Sequence, residues 1–219
     1  MPIKLAVFDC DGTLSDGQAG VVNAIDAAFA AASLPPPDHH EVRRIVGLSL
    51  PQAVRRLAPG ASAEEQAAAV EAYKTSFRAA REDGSLREPL YEGIADLLRR
   101  LHAGGWTLGV ATGKSDRGLN ALLAANELTH LFATLHTADR HPSKPAPAML
   151  EAAMADMLAE PDDTIMIGDT VYDMEMASNA GVRAIGVAWG YHELDELRRA
   201  GAVAVASSVD ELGSLLDDA

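Results

Sequence analysis

The chain has 219 residues, 48% of them apolar, which is enough for one ordinary domain, or one domain carrying an insertion, around a substantial core. A formal charge of −14 argues against nucleic acid or an anionic membrane as partner, because phosphate backbones are met by basic surfaces. Cys10 is the single cysteine, so an internal disulfide and a cysteine-rich metal site are both excluded.

No apolar run approaches the roughly 18 residues of a membrane span. After Met1-Pro2 the chain enters an apolar strand, without the basic, apolar and cleavage segments of a leader. The expectation is a soluble, cytoplasmic protein. The negative charge also means that a phosphorylated substrate is not attracted by the molecule as a whole. A site for one must be locally positive, through a metal, a lysine or helix N-termini.

Residues 3–8 are almost wholly apolar and read as a strand buried on both faces, ending in Asp9-Cys10-Asp11-Gly12-Thr13. Residues 16–87 then hold helical patterns and no convincing strand. Val21, Val22, Ile25 and Phe29 make one apolar face, and Ala67, Val70, Tyr73 and Phe77 another; Pro35-Pro36-Pro37 and Pro59-Gly60 separate the helices. An insertion at this point is placed to cover whatever binds at the first strand end, as a lid. Beyond it, Ile94, Leu97, Leu98 and Leu101 keep helical spacing until Gly104-Gly105 stops the helix. Residues 106–111 form a strand running into Thr112-Gly113-Lys114-Ser115, followed by a helix with Leu119, Leu122 and Leu123 on one face. Residues 132–135 form another strand, leading to a polar loop from His136 to Lys144, and Met149, Ala153, Met154 and Met157 mark the next helix. Residues 164–167 run into Gly168-Asp169; residues 184–187 and 202–206 are two further short strands.

Strands alternating with helices predict an α/β fold, a Rossmann-like doubly wound parallel sheet formed by residues 1–15 and 88–219, with residues 16–87 as the helical insertion. In such sheets ligands bind beyond the carboxyl ends of the strands, where every polar motif here is found.

Asp9 and Asp11 are two residues apart, so on an extended strand both carboxylates point the same way. They repel unless a cation or a shared proton relieves them, and a hard divalent ion such as Mg²⁺ suits carboxylate oxygens. Asp169 and Asp173 supply further carboxylates at another strand end, and Gly168 permits close backbone approach. An aspartate can attack phosphorus to give an aspartyl-phosphate, provided the transferring oxygens are neutralised. Thr112 offers a hydroxyl, Gly113 an N–H and Lys144 a positive charge; Asp11 is placed to protonate the leaving oxygen and later to deprotonate water. Taken singly, Asp9-x-Asp11 could be a solvated turn, Thr112-Gly113 a turn, Lys144 a surface lysine and Asp169 a helix cap. Their joint occurrence at strand ends outweighs those readings.

The series Asp9-x-Asp11-Gly12-Thr13, Thr112-Gly113, Lys144-Pro145 and Gly168-Asp169-x-x-x-Asp173 resembles the haloacid dehalogenase superfamily over essentially the whole chain. The insertion resembles its C1-type cap. Leu90-Tyr91-x-Gly93, Lys144-Pro145-x-Pro147 and Gly186-Val187-Ala188-Trp189-Gly190 resemble the phosphoglycolate phosphatase-like branch. The resemblance implies a Mg²⁺-dependent phosphatase that hydrolyses a small phosphorylated metabolite, phosphoglycolate-like, through an aspartyl-phosphate, as a monomer or homodimer. It implies Asp9 as nucleophile and metal ligand, and Asp11 as acid/base, binding metal through its carbonyl. Thr112 and Lys144 would hold the phosphoryl group, Asp169 the metal, and Asp173 the metal or Lys144. Gly12, Thr13, Gly113, Lys114 and, from the insertion, Gly47 are the substrate-binding candidates. The second aspartate sets the chain apart from the superfamily's dehalogenases and phosphonatases; a sugar phosphomutase and a non-catalytic binding protein remain alternatives. Asp16-Gly17 departs from the Asp-Ser or Asp-Thr of relatives. Arg43, Arg44, Arg55 and Arg56 are candidates for gripping a second anionic group. The histidines show no zinc spacing, and Cys10 is expected in the core.

Overall fold

The structure, a computed structural model, describes residues 4–218; Met1, Pro2 and Ile3, the expected start of the first strand, lie outside the described residues. Strand β1 (Leu5–Phe8) has all four side chains inaccessible to solvent. Leu5 and Val7 pack on one side with Met149, Leu150 and Met174, while Ala6 and Phe8 pack on the other with Ile94, Leu98 and Leu119. Period-two alternation with both faces apolar requires helices on both sides of the sheet, and they are there.

The chain then forms four helices without an intervening strand: α1 (Gln18–Ala31), α2 (His39–Arg44), α3 (Leu50–Leu57) and α4 (Ala63–Glu82). Pro35-Pro36-Pro37 falls between α1 and α2, and Pro59-Gly60 between α3 and α4, as expected from the sequence. Helix α4 starts where it does because Ser62 and Glu65 form a reciprocal capping box. Val70 is buried on the expected face of α4, but Ala67 is exposed and Ala69 is buried in its place. The insertion has two small cores, around Ile25, Phe29 and Val42 and around Val54, Ala69 and Val70. A third cluster joins its Ile45, Leu48 and Ala53 to Tyr172 of the sheet-bearing body.

After the insertion the alternation resumes with α5 (Ile94–Ala103), β2 (Thr107–Thr112), α6 (Asp116–Ala125), β3 (Phe132–Thr137), α7 (Ala148–Met157), β4 (Thr164–Gly168), α8 (Val171–Asn179), β5 (Arg183–Val187), α9 (Leu194–Arg199), β6 (Ala204–Ala206) and α10 (Val209–Asp217). The six strands are parallel, in the order β3-β2-β1-β4-β5-β6. The third strand runs on to Thr137, further than its apolar run. The last begins at Ala204 rather than at 202, because the Ala202 N–H closes the end of α9 on Leu197. The order reverses between β1 and β4, which places the crevice of a doubly wound sheet at the ends of those two strands. Asp9 follows one and Asp169 the other. Among the described residues no helix is long and apolar enough to cross a membrane.

Candidate active site

Asp9, Lys144, Asp169 and Asp173 come from four separate places, the ends of β1 and β4, the loop after β3 and the first turn of α8, and all are 0% exposed. Lys144 Nζ lies 2.9 Å from Asp9 Oδ1 and 2.6 Å from Asp173 Oδ1. Carboxylate oxygens of Asp9, Asp169 and Asp173 lie within 4.8 Å of one another. Three carboxylates against one ammonium leave an excess of negative charge in a buried space. Burial, with Asp173 adding to it and Lys144 opposing, pushes the Asp9 carboxyl up to about 6. Burial, then Asp9 and Asp173, pushes Asp169 well above the usual carboxylate range. Burial alone would lower Lys144, but Asp173 and Asp9 outweigh it and keep the ammonium above its ordinary value.

Not every oxygen in this group is equally available. Asp173 Oδ2 accepts from the Thr170 N–H at 3.0 Å and its hydroxyl at 2.7 Å, so both Asp173 oxygens have partners. Asp169 accepts from the Thr13 hydroxyl at 2.8 Å and the Tyr191 N–H at 2.9 Å. Asp9 Oδ1 accepts from the Cys10 N–H, but Asp9 Oδ2 is buried without a partner. An orphaned carboxylate oxygen in an over-negative, all-oxygen cluster fits a hard divalent cation such as Mg²⁺. Gly168 makes room for the arrangement: a Cβ there would sit 2.3 Å from Asp173 Cγ.

Asp11 faces a different lysine. Its Oδ1 accepts from Lys114 Nζ at 2.8 Å; Lys114 also meets Glu88 Oε1 at 2.5 Å, and Glu88 is bound by Arg81 at 3.1 Å. The expectation that Asp9 and Asp11 extend one strand is corrected here. The strand stops at Phe8, and a turn closed by Leu14 N–H on Cys10 carbonyl separates the partners of the two carboxylates. Both still line one cavity of about 530 Å³, with Thr112, Gly113 and Lys114 on the sheet side and Gly47, Leu48 and α4 on the other. Gly113 is where the insertion comes closest: a Cβ there would lie 2.6 Å from the carbonyl oxygens of Gly47 and Leu48. The Thr112 hydroxyl accepts from the Lys114 N–H at 3.2 Å. Gly12 and Thr13 do not line this cavity; the Gly12 N–H is bonded to the Ser15 carbonyl and the Thr13 hydroxyl to Asp169.

The arginines of α2 and α3 do not line this cavity. Arg44 forms a two-pronged pair with Glu196 at 2.6 and 2.9 Å, Arg56 donates to Tyr172 Oη at 2.7 Å, and Arg43 borders a separate hollow beside Asp16 and His39. Cys10 is buried in the main core, and the Trp189 indole donates to the Thr13 carbonyl at 3.2 Å. His136 and His141, which no spacing relates, meet at 2.9 Å, with Asp156 on the far side of His136 at 3.1 Å; neither lines the cavity. Thr170, Tyr191 and Glu88 were missed from the sequence. Only Thr170 left a signal there, as a capping residue three before Asp173.

A family model for haloacid dehalogenase-like hydrolases matches residues 6–187. The chain belongs to this family. Over 213 residues it is 37% identical to a Dickeya dadantii protein named "Probable phosphatase IndB", covering 95% of this chain and 91% of that one. It is 30% identical over 216 residues to the Mycobacterium tuberculosis "Tyrosine-protein kinase PtkA" (97% and 72% covered). It is 31% identical over 195 residues to "Phosphoglycolate phosphatase 1" of Pseudomonas aeruginosa (86% and 71% covered). The crystal structure of a predicted phosphatase from Clostridium acetobutylicum superposes over 100% of both chains with a TM-score of 0.89 at 27% identity. The family match ends at Val187, so the Tyr191 N–H that holds Asp169 in this haloacid dehalogenase-like hydrolase lies beyond it.

Proposed function

We propose that this hydrolase is a Mg²⁺-dependent phosphatase acting on the monoester of a small organic alcohol through an aspartyl-phosphate. The observation that carries the reading is the unpartnered, buried Asp9 Oδ2 beside Lys144 and two further buried carboxylates. Asp9 and Asp169, with the Asp11 carbonyl, would hold the metal, and the metal would neutralise charge on the phosphoryl oxygens. The Asp9 carboxylate attacks phosphorus; the P–O bond to the alcohol breaks and Asp11 delivers the proton that the alkoxide takes up. Water then attacks the phosphorylated Asp9, giving its proton to Asp11, and Asp9 is released as the carboxylate with inorganic phosphate. Thr112 and Lys144 hold the phosphoryl oxygens, and Asp173 keeps Lys144 in place. Residues 16–87 serve as a cap whose opening and closing gate substrate entry and water access. The relative named for phosphoglycolate makes a short acidic ester the first substrate to test.

The test is phosphate release from a panel of esters by wild type and Asp9→Asn, with Mg²⁺ and with chelator. Turnover should need the metal and fall on the order of a thousandfold or more in Asp9→Asn. Turnover retained by Asp9→Asn would remove the nucleophile and the reading with it.

A further inference from the structure

Five cations line the cavity above Asp9: Lys74, Arg78, Arg81, Lys114 and Arg117. Four have carboxylate partners. Lys74 meets Glu71 at 2.8 Å, Arg81 meets Glu88, Lys114 meets both Asp11 and Glu88, and Arg117 faces Glu82 at 3.7 Å. Among the described residues, Arg78 has no ion pair, hydrogen bond or ring partner, and it stays exposed on the cavity side of α4. Among the described residues Arg78 is thus the lining cation without a carboxylate partner.

Part of the remaining lining is apolar. Tyr73 and Phe77, on the same helix, stack at 5.3 Å between ring centroids and line the cavity together with Val21 and Ile25. The volume of about 530 Å³ is in the range that encloses drug-sized molecules. A two-carbon alcohol would leave most of it unfilled. The wall therefore combines the carboxylate of Asp9, a stacked aromatic pair and a guanidinium without a partner from the described residues.

We propose that the substrate carries a second anionic group, separated from its phosphate ester by an apolar or aromatic body, and that Arg78 is the specificity residue that binds it. This rests on the phosphatase reading above. A planar guanidinium takes a carboxylate through two parallel hydrogen bonds, which a neutral amide cannot match. The arginines singled out on α2 and α3 are unavailable for this role, being outside the cavity.

Three esters decide the matter: 4-carboxyphenyl phosphate, its neutral counterpart 4-carbamoylphenyl phosphate, and 2-phosphoglycolate, with Mg²⁺ and wild type, Arg78→Gln and Arg78→Lys. The preference of wild type for the carboxylate over the amide, as a ratio of kcat/KM, should fall about tenfold or more in Arg78→Gln, chiefly through KM. Arg78→Lys should restore part of it. An unchanged ratio in Arg78→Gln overturns the proposal, and so does a wild type that prefers 2-phosphoglycolate to the carboxyphenyl ester. If wild type hydrolyses none of the three esters better than Asp9→Asn does, the phosphatase reading itself falls and this inference with it.

Discussion

Asp173 shows how much a single side chain here is committed. Its Oδ1 accepts from Lys144 and its Oδ2 from both donors of Thr170, all inside a region closed to solvent. With no oxygen left unpartnered it acts first as the anchor of Lys144, whereas the open oxygen is on Asp9. Removing one partner of a buried pair leaves the other uncompensated, at about 3–5 kcal/mol. Asp173→Ala should lose that much in urea unfolding, and Asp173→Asn, which keeps an acceptor facing Lys144, distinctly less. Equal small losses in both variants would mean that Lys144 does not depend on Asp173. The motif aspartates and Lys144 became candidates in the sequence through their joint occurrence in order at or after strand ends, since each alone has an ordinary structural reading. Tyr191 could not be found this way, because what it contributes is a backbone N–H, which every residue but proline owns.

At the scale of elements, one set of contacts between the insertion and the sheet-bearing body is polar and gathers around α2. Arg44 pairs with Glu196 on α9, the Tyr172 hydroxyl donates to the Arg44 carbonyl at 2.9 Å, and His192 Nε2 lies 3.2 Å from the same carbonyl. Hydrogen bonds from Arg44, followed by the backbone bond at Glu193, hold the Glu196 carboxyl down at about 2. A carboxylate depressed in the folded state stabilises it above its ordinary value of 4.5, and that contribution is lost as pH falls from there through about 2. With Glu196 26% exposed, screening limits the pair to about 1 kcal/mol. Glu196→Gln should therefore be less stable than wild type at pH 7, and the gap should close as the pH is taken from 5 to about 2 in denaturant titrations. A gap independent of pH would assign the loss to packing rather than charge. Faster hydrogen exchange in α2 of the same variant would place the loosening at the contact between insertion and body.

For the whole molecule the largest unbalanced quantity is the charge buried at the crevice, three carboxylates against Lys144. A divalent cation that binds the folded chain and not the unfolded one must raise Tm. At a hundredfold excess over Kd the gain is about 2.7 kcal/mol, which for a domain of this size is about 5–10 °C. Mg²⁺ should raise Tm in a saturable way, chelator should reverse it, and Asp169→Asn should abolish the response. A Tm that ignores Mg²⁺ in wild type would rule out the cluster as a metal site.

The sequence by itself determined the alternation of strand and helix, the two-sided burial of the sheet, the helical insertion after the first strand and the order of the charged motifs. Those follow from local periodicity and from the cost of burying charge, both of which act on neighbours along the chain. It also pointed to Asp9, Asp11, Lys144, Asp169 and Asp173, though not to the division by which Lys144 faces Asp9 and Lys114 faces Asp11. Only the tertiary structure decided that division, the meeting of His136 with His141, and which basic residues enter the cavity. Arg44 and Arg56 were candidate ligands only as members of adjacent arginine pairs, and Glu196 and Tyr172, more than a hundred residues away, take them. Nothing in the sequence singles out Arg78. Its lack of a partner emerges only after packing has assigned carboxylates to Lys74, Arg81, Lys114 and Arg117. Pairings between distant residues depend on how whole elements dock, and no local pattern carries that information.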